Sequence, residues 1–96
     1  MKERLEIIQE RYNHLCDELL KPEVYEDYKK MQTISKEKNA IENVVITYKK
    51  YNQILQDIDA AKEMSHDEEM KEFALEELER LNNSKIDLER KLKVLL

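Results

Sequence analysis

From Tyr28 to Met64 the chain runs for 37 residues without a glycine or a proline, while apolar side chains return every three or four positions. Met31, Ile34, Ile41, Val44, Val45, Tyr48, Tyr51, Ile54 or Leu55, Ile58 and Ala61 follow the helical period, not the alternation of a strand. Nothing inside the stretch forces a break. At about 1.5 Å per residue such a helix is on the order of 55 Å long, more than one compact domain can bury by itself. Other helices must lie alongside it, and the flanking sequence supplies two.

The first partner precedes it. Between Lys2 and Leu20 the apolar positions are Leu5, Ile8, Tyr12, Leu15 and Leu19, a narrow stripe suited to packing on another helix. Lys21-Pro22 ends that helix, because the proline ring pushes Lys21 out of the α region. A short connection to Asp27 follows, with Val24 as its clear apolar anchor, and Glu26 or Asp27 is placed to face the positive end of the long helix. The second break is the polar run Ser65-His66-Asp67-Glu68-Glu69. Ser65 and Glu68 fit an S-x-x-E capping box, and Asp67 is an equally good N-cap for a helix starting one turn later. Glu68, Glu69 and Glu72 would then crowd the first turn, where the helix dipole favours them. The third helix carries Met70, Ala74, Leu78, Leu81, Leu88, Leu92 and Leu95, with Lys85 interrupting the stripe beside Ile86. The spacing thus predicts helices over about 2–20, 27–64 and 68–95.

Their register can be tested on the numbering, since facing residues of an antiparallel pair share one constant sum. A reversal near His66 matches Ile58 with Ala74, Ile54 with Leu78, Tyr51 with Leu81 and Val44 with Leu88. The earlier reversal likewise matches Leu15 with Met31, Tyr12 with Ile34 and Leu5 with Ile41. The expected fold is all-α: a short three-helix bundle extended by a long antiparallel two-helix coiled-coil hairpin. Ile41 and Val44 are expected where three helices meet, and Ile58 in a half-exposed arm. Charge follows the same division. Residues 53–80 carry ten carboxylates (Asp57, Asp59, Glu63, Asp67, Glu68, Glu69, Glu72, Glu76, Glu77, Glu79) against Lys62, Lys71 and Arg80, a net of −7 in a chain of net −5.

The chemistry-bearing motifs are sparse. A chain without glycine has no phosphate-cradling loop. His14 and Cys16 sit two apart on one helix and point away from a shared face, and no second Cys or His completes a zinc set. No metal or cofactor is expected. The acidic residues single out no general acid and base, so enzymatic activity is not expected of this chain. The five tyrosines fall mostly at core spacing, which favours packing over base stacking, and the acidic balance argues against direct nucleic-acid binding. One cysteine and no run of membrane-spanning length suggest a cytoplasmic protein. The candidate partner contact is the acidic turn: His66, Asp67, Glu68, Glu69 and Glu72.

Several residues in order resemble a known family. Arg4-Leu5, Arg11-Tyr12, Leu15, Pro22-Glu23-Val24, Tyr48-x-x-Tyr51, Ile58-x-x-Ala61-x-x-Met64, Asp67-x-Glu69-Met70, Ala74, Glu77-Leu78 and the closing LERKLKVLL are similar to the N-terminal domain of the bacterial class I peptide chain release factors. Val24-Tyr25 in the connection, and the lack of tryptophan, resemble the release factor 1 branch rather than release factor 2. The resemblance implies translation termination, at UAA and UAG codons for that branch. It also implies ribosome binding at the stalk base of the large subunit, where a basic ribosomal protein suits the acidic arm, and a link to the class II release-factor GTPase. The family's Gly-Gly-Gln is missing, and the one proline is followed by Glu23-Val24 rather than the codon-reading Pro-x-Thr, so no catalytic or codon-reading role transfers to any residue. Residues 1–96 are therefore expected to form a single helical N-terminal domain, truncated from a longer protein. The rival expectation is a self-standing antiparallel coiled-coil scaffold or dimerisation module.

Overall fold

The computed structural model describes all 96 residues as four helices and no strand: α1 (Lys2–Glu18), α2 (Pro22–Tyr25), α3 (Tyr28–Met64) and α4 (Lys71–Leu95). The all-α class expected from the sequence is what forms. Two compact units divide the chain, Met1–Ile46 and Thr47–Leu96, and α3 contributes to both.

In the first unit Lys21 is extended (φ −83°, ψ 131°), as a residue before proline must be, and α1 stops at Glu18. The connection is not a plain loop. Pro22, whose missing N–H costs nothing at a first helical position, opens the one-turn helix α2, which buries Val24. Asp27 then caps α3: its carbonyl accepts from Met31 N–H (2.9 Å) and its Oδ1 from Lys30 N–H (3.2 Å). Leu5 and Leu15 are the buried positions of α1, with Ile8, Tyr12 and Leu19 half-buried beside them. A bidentate ion pair joins the helices, Arg11 Nε to Glu37 Oε1 at 2.9 Å and Nη2 to Oε2 at 2.8 Å. Each partner holds the other charged: Glu37 raises the Arg11 pKa, and Arg11 lowers that of Glu37.

One turn away, Tyr12 OH donates to Glu42 Oε1 (3.0 Å), and Lys38 Nζ lies 5.9 Å from the Tyr12 ring centre. These polar partners lie one and two turns beyond Ile34, the residue matched with Tyr12 on numbering alone. The hydrogen bond to Glu42, then burial, push the Tyr12 phenol up to about 12. A raised folded-state pKa means that this contribution to stability is intact below the ordinary tyrosine value of about 10 and is lost as pH rises through about 12. Ultraviolet titration of tyrosinate checks this. Glu42→Ala, which removes both the acceptor and the charge, should bring the high-pH phenol back toward the ordinary range. An unchanged titration would contradict the assignment.

The second unit is an antiparallel helix pair. Ile58, Ala61 and Leu81 form its buried cluster, with Ile54 and Leu78 packed against it. Ala74, Tyr48 and Leu92 are buried, and Lys85 is half-buried where the stripe is interrupted, as a long charged side chain with an apolar stem can be. No buried side-chain polar atom lacks a partner.

The register differs from the numbering match. Ile54 shares a groove with Ser84 and Leu88, and Met64 shares one with Phe73. Tyr51 OH donates to Glu89 Oε1 (3.4 Å). Residues of α4 some six positions further along than expected thus face α3. Two causes account for this. The helix α4 begins at Lys71 rather than at 68, moving the reversal toward the C-terminus. In addition, Cα–Cβ bonds tilt toward each helix's N-terminus, so facing side chains in an antiparallel pair have larger numbers than the level of their backbones suggests.

Burial corrects three further expectations. Tyr28, at core spacing one turn before Met31, is exposed (69%), Met70 is exposed, and Ile58 is buried while Ile41 is only half-buried.

Candidate functional site

The acidic turn is built by the end of one helix and the start of another. Past Met64 the chain tightens through hydrogen bonds from Ser65 N–H to Ala61 O, His66 N–H to Glu63 O and Asp67 N–H to Met64 O. The Ser65 hydroxyl donates to the Lys62 carbonyl at 2.5 Å, satisfying one of the acceptors left over at a helix C-terminus. The Ser65–Glu68 capping box therefore does not form, since Ser65 serves the helix it follows. Asp67 is not the N-cap either. Its Oδ1 accepts from Glu69 N–H (3.0 Å) and its carbonyl from Met70 N–H (3.0 Å), closing a compact turn before α4. Met70 stands at the N-cap without a side-chain hydrogen bond.

His66, Asp67, Glu68, Glu69 and Glu72 are all exposed. The first four lie consecutively on the turn, and Glu72 alone reaches the first turn of α4, correcting the expectation that Glu68 and Glu69 would do so too. The side chains of Glu68, Glu69 and Glu72 make no hydrogen bond or ion pair within the chain. Further along α4, Arg80 Nη2 sits 2.6 Å from Glu77 Oε2, which lowers the Glu77 pKa and raises that of Arg80. The turn thus presents unpaired negative charge on a short, hydrogen-bonded frame.

Beside it lie apolar side chains that periodicity alone passes over. Phe73, Leu75 and Met64 are exposed, at 51%, 53% and 36%. The buried stripe of α4 runs through Ala74 and Leu81, so Phe73 and Leu75 stand off it on either side. An off-stripe phenylalanine was the available signal. Met64 and Phe73 line a groove with Asp57, Ala60, Ala61, Glu77, Arg80 and Leu81.

Elsewhere His14 lies 3.9 Å from Glu18, Lys21 pairs with Glu18 at 2.6 Å, and Cys16 is a half-buried free thiol. Arg11, Tyr12 and Tyr51 bond between helices. These contacts brace the fold, and none joins the acidic turn.

Comparison with known proteins places the chain. The PCRF domain matches residues 8–96. The chain is 42% identical over 96 residues to peptide chain release factor 1 of a Nitratiruptor species, covering all of this chain and 27% of that protein. It is 40% identical over 99 residues to the release factor 1 of a Geobacillus species, and 39% over 99 residues to that of Oceanobacillus iheyensis, each covering all of this chain and 28% of the relative. The chain thus spans little more than a quarter of the length of these relatives. No solved structure matches it. With 38–42% identity along its whole length to peptide chain release factor 1 proteins, and the domain matched from residue 8 to residue 96, the chain belongs to the PCRF domain family.

Proposed function

We propose that this chain is the N-terminal docking part of a class I release factor acting in translation termination, of the branch reading UAA and UAG. Its task is positional. The α3–α4 turn engages the stalk base of the large ribosomal subunit through a basic ribosomal protein, while codon reading and peptidyl-tRNA hydrolysis belong to other parts of the factor. The similarity to release factor 1 proteins supports the termination role. The missing glycines support a chain without catalysis of its own. The expected bundle extended by a projecting hairpin, contact with the class II release-factor GTPase and a cytoplasmic location belong to the same reading. No helix is long and apolar enough to cross a membrane.

One observation carries the docking role. Glu68 and Glu69 lie outside the first turn of α4, where the pull of the helix dipole weakens, and no cation of the chain pairs with them. Unpaired carboxylates on a braced turn are repelled by ribosomal RNA and attracted to a basic protein surface. A photo-crosslinking residue in place of Glu69, in the chain bound to large ribosomal subunits, should give an adduct with a stalk-base protein. Adducts with ribosomal RNA, or with a second copy of the chain, would contradict the proposal.

A further inference from the structure

We propose that the groove between α3 and α4 beside the turn is an apolar anchor site, taking one large hydrophobic side chain from a basic segment of a protein partner. This deepens the docking role and rests on it. The groove has a volume of about 230 Å³ and is lined by Ala60, Ala61, Met64, Phe73 and Leu81, with Asp57, Glu77 and Arg80 also at its wall. Phe73 is the only phenylalanine of the chain and is half exposed to water. Covering it and Met64 removes apolar surface from water, which favours association in proportion to the area buried. Methionine adds a side chain that adapts to the shape of an entering group.

Charge selects the occupant. The groove lies within the segment of net −7, and Arg80 on its rim is already neutralised by Glu77 at 2.6 Å. A segment bearing lysine or arginine around its apolar residue complements that rim. A second copy of this chain would bring like charge to like, and a nucleic acid would bring phosphate to carboxylate. The anchor and the acidic turn then divide the work. Charge on the turn speeds encounter, and the buried side chain slows release.

The test is surface binding of the 96-residue chain to purified large ribosomal subunits, with association and dissociation followed as salt is varied. Phe73→Ala should dissociate about tenfold faster or more, with association rate and salt dependence unchanged. Phe73→Leu should recover most of the loss. Leu75→Ala, equally exposed but outside the groove, should stay within about twofold of the parent. Phe73→Ala dissociating no faster than Leu75→Ala would overturn the proposal. So would equal binding to protein-free ribosomal RNA, or dimerisation of the chain that Phe73→Ala abolishes. If Phe73→Ala is neutral while lysines at Glu68, Glu69 and Glu72 slow association, the anchor fails and docking stands. If the parent chain does not bind the subunits at all, both fail.

Discussion

Replacing Leu81 by alanine should destabilise the chain by about 2–5 kcal/mol, the range that truncating a buried leucine costs. Leu81 is only 3% exposed and shares its cluster with Ile58 and Ala61, while Ile54 and Leu78 pack around it. Two helices offer few side chains that could relax into the vacated space, so most of the cavity would persist. A domain of this size has a total stability of about 5–14 kcal/mol, so the loss is a large part of it. Denaturant melts measure it as a fall in midpoint at constant slope. Leu75→Ala, on the same helix but 53% exposed, should change stability by no more than about 0.5 kcal/mol. The same contrast separates Ile58 from Ile41. The buried Ile58 should be the costlier of the two on truncation to alanine, the reverse of what periodicity with an assumed bundle suggests. Equal midpoints for the Leu81 and Leu75 variants would mean that the cluster does not hold the helix pair together.

The helices were legible because their signals are local. An uninterrupted stretch at helical period gives α3 the bounds Tyr28–Met64, within a residue of the sequence prediction, and proline with its extended predecessor marks the first break. The short helix α2 escaped because a single turn carries no periodicity, only a proline at its start and one apolar residue. The start of α4 was misplaced for a chemical reason. A serine, an aspartate and two glutamates can each cap a helix or close a turn. Here Ser65 bonds backward to Lys62 and Asp67 forward to Glu69, so helix initiation waits until Met70. That delay, with the N-terminal tilt of side chains, shifts the register of the pair. Constant sums on the numbering cannot reveal it, since a helical stripe shifted by one or two turns still meets another stripe.

The candidate site was half legible. The acidic run stands out by charge alone, and its exposure follows from lying at a reversal. Phe73 and Met64 belong to neither stripe, but their exposure does not follow from that, because periodicity assigns burial to stripe positions and says nothing of the apolar residues beside them. Tyr28 illustrates the same limit at the other break, where an aromatic at helical spacing turned out to face water.

The docking account is tested most directly by reversing the charge of the turn. Lysine at Glu68, Glu69 and Glu72 moves the 53–80 segment from a net of −7 to −1, two charges for each of three residues. Glu68 and Glu69 sit in the turn rather than the helix, and only Glu72 lies within the first turn of α4, where an exposed carboxylate interacts with the helix dipole by roughly 0.3–1 kcal/mol. Stability should therefore change little. Association with large ribosomal subunits should slow about 10- to 100-fold at low salt, and the gap should close as added salt screens the charges. Dissociation should move far less. An association rate indifferent to the three lysines at every salt concentration, accompanied by a clear fall in melting temperature, would show that the carboxylates serve the helix and that docking takes place elsewhere.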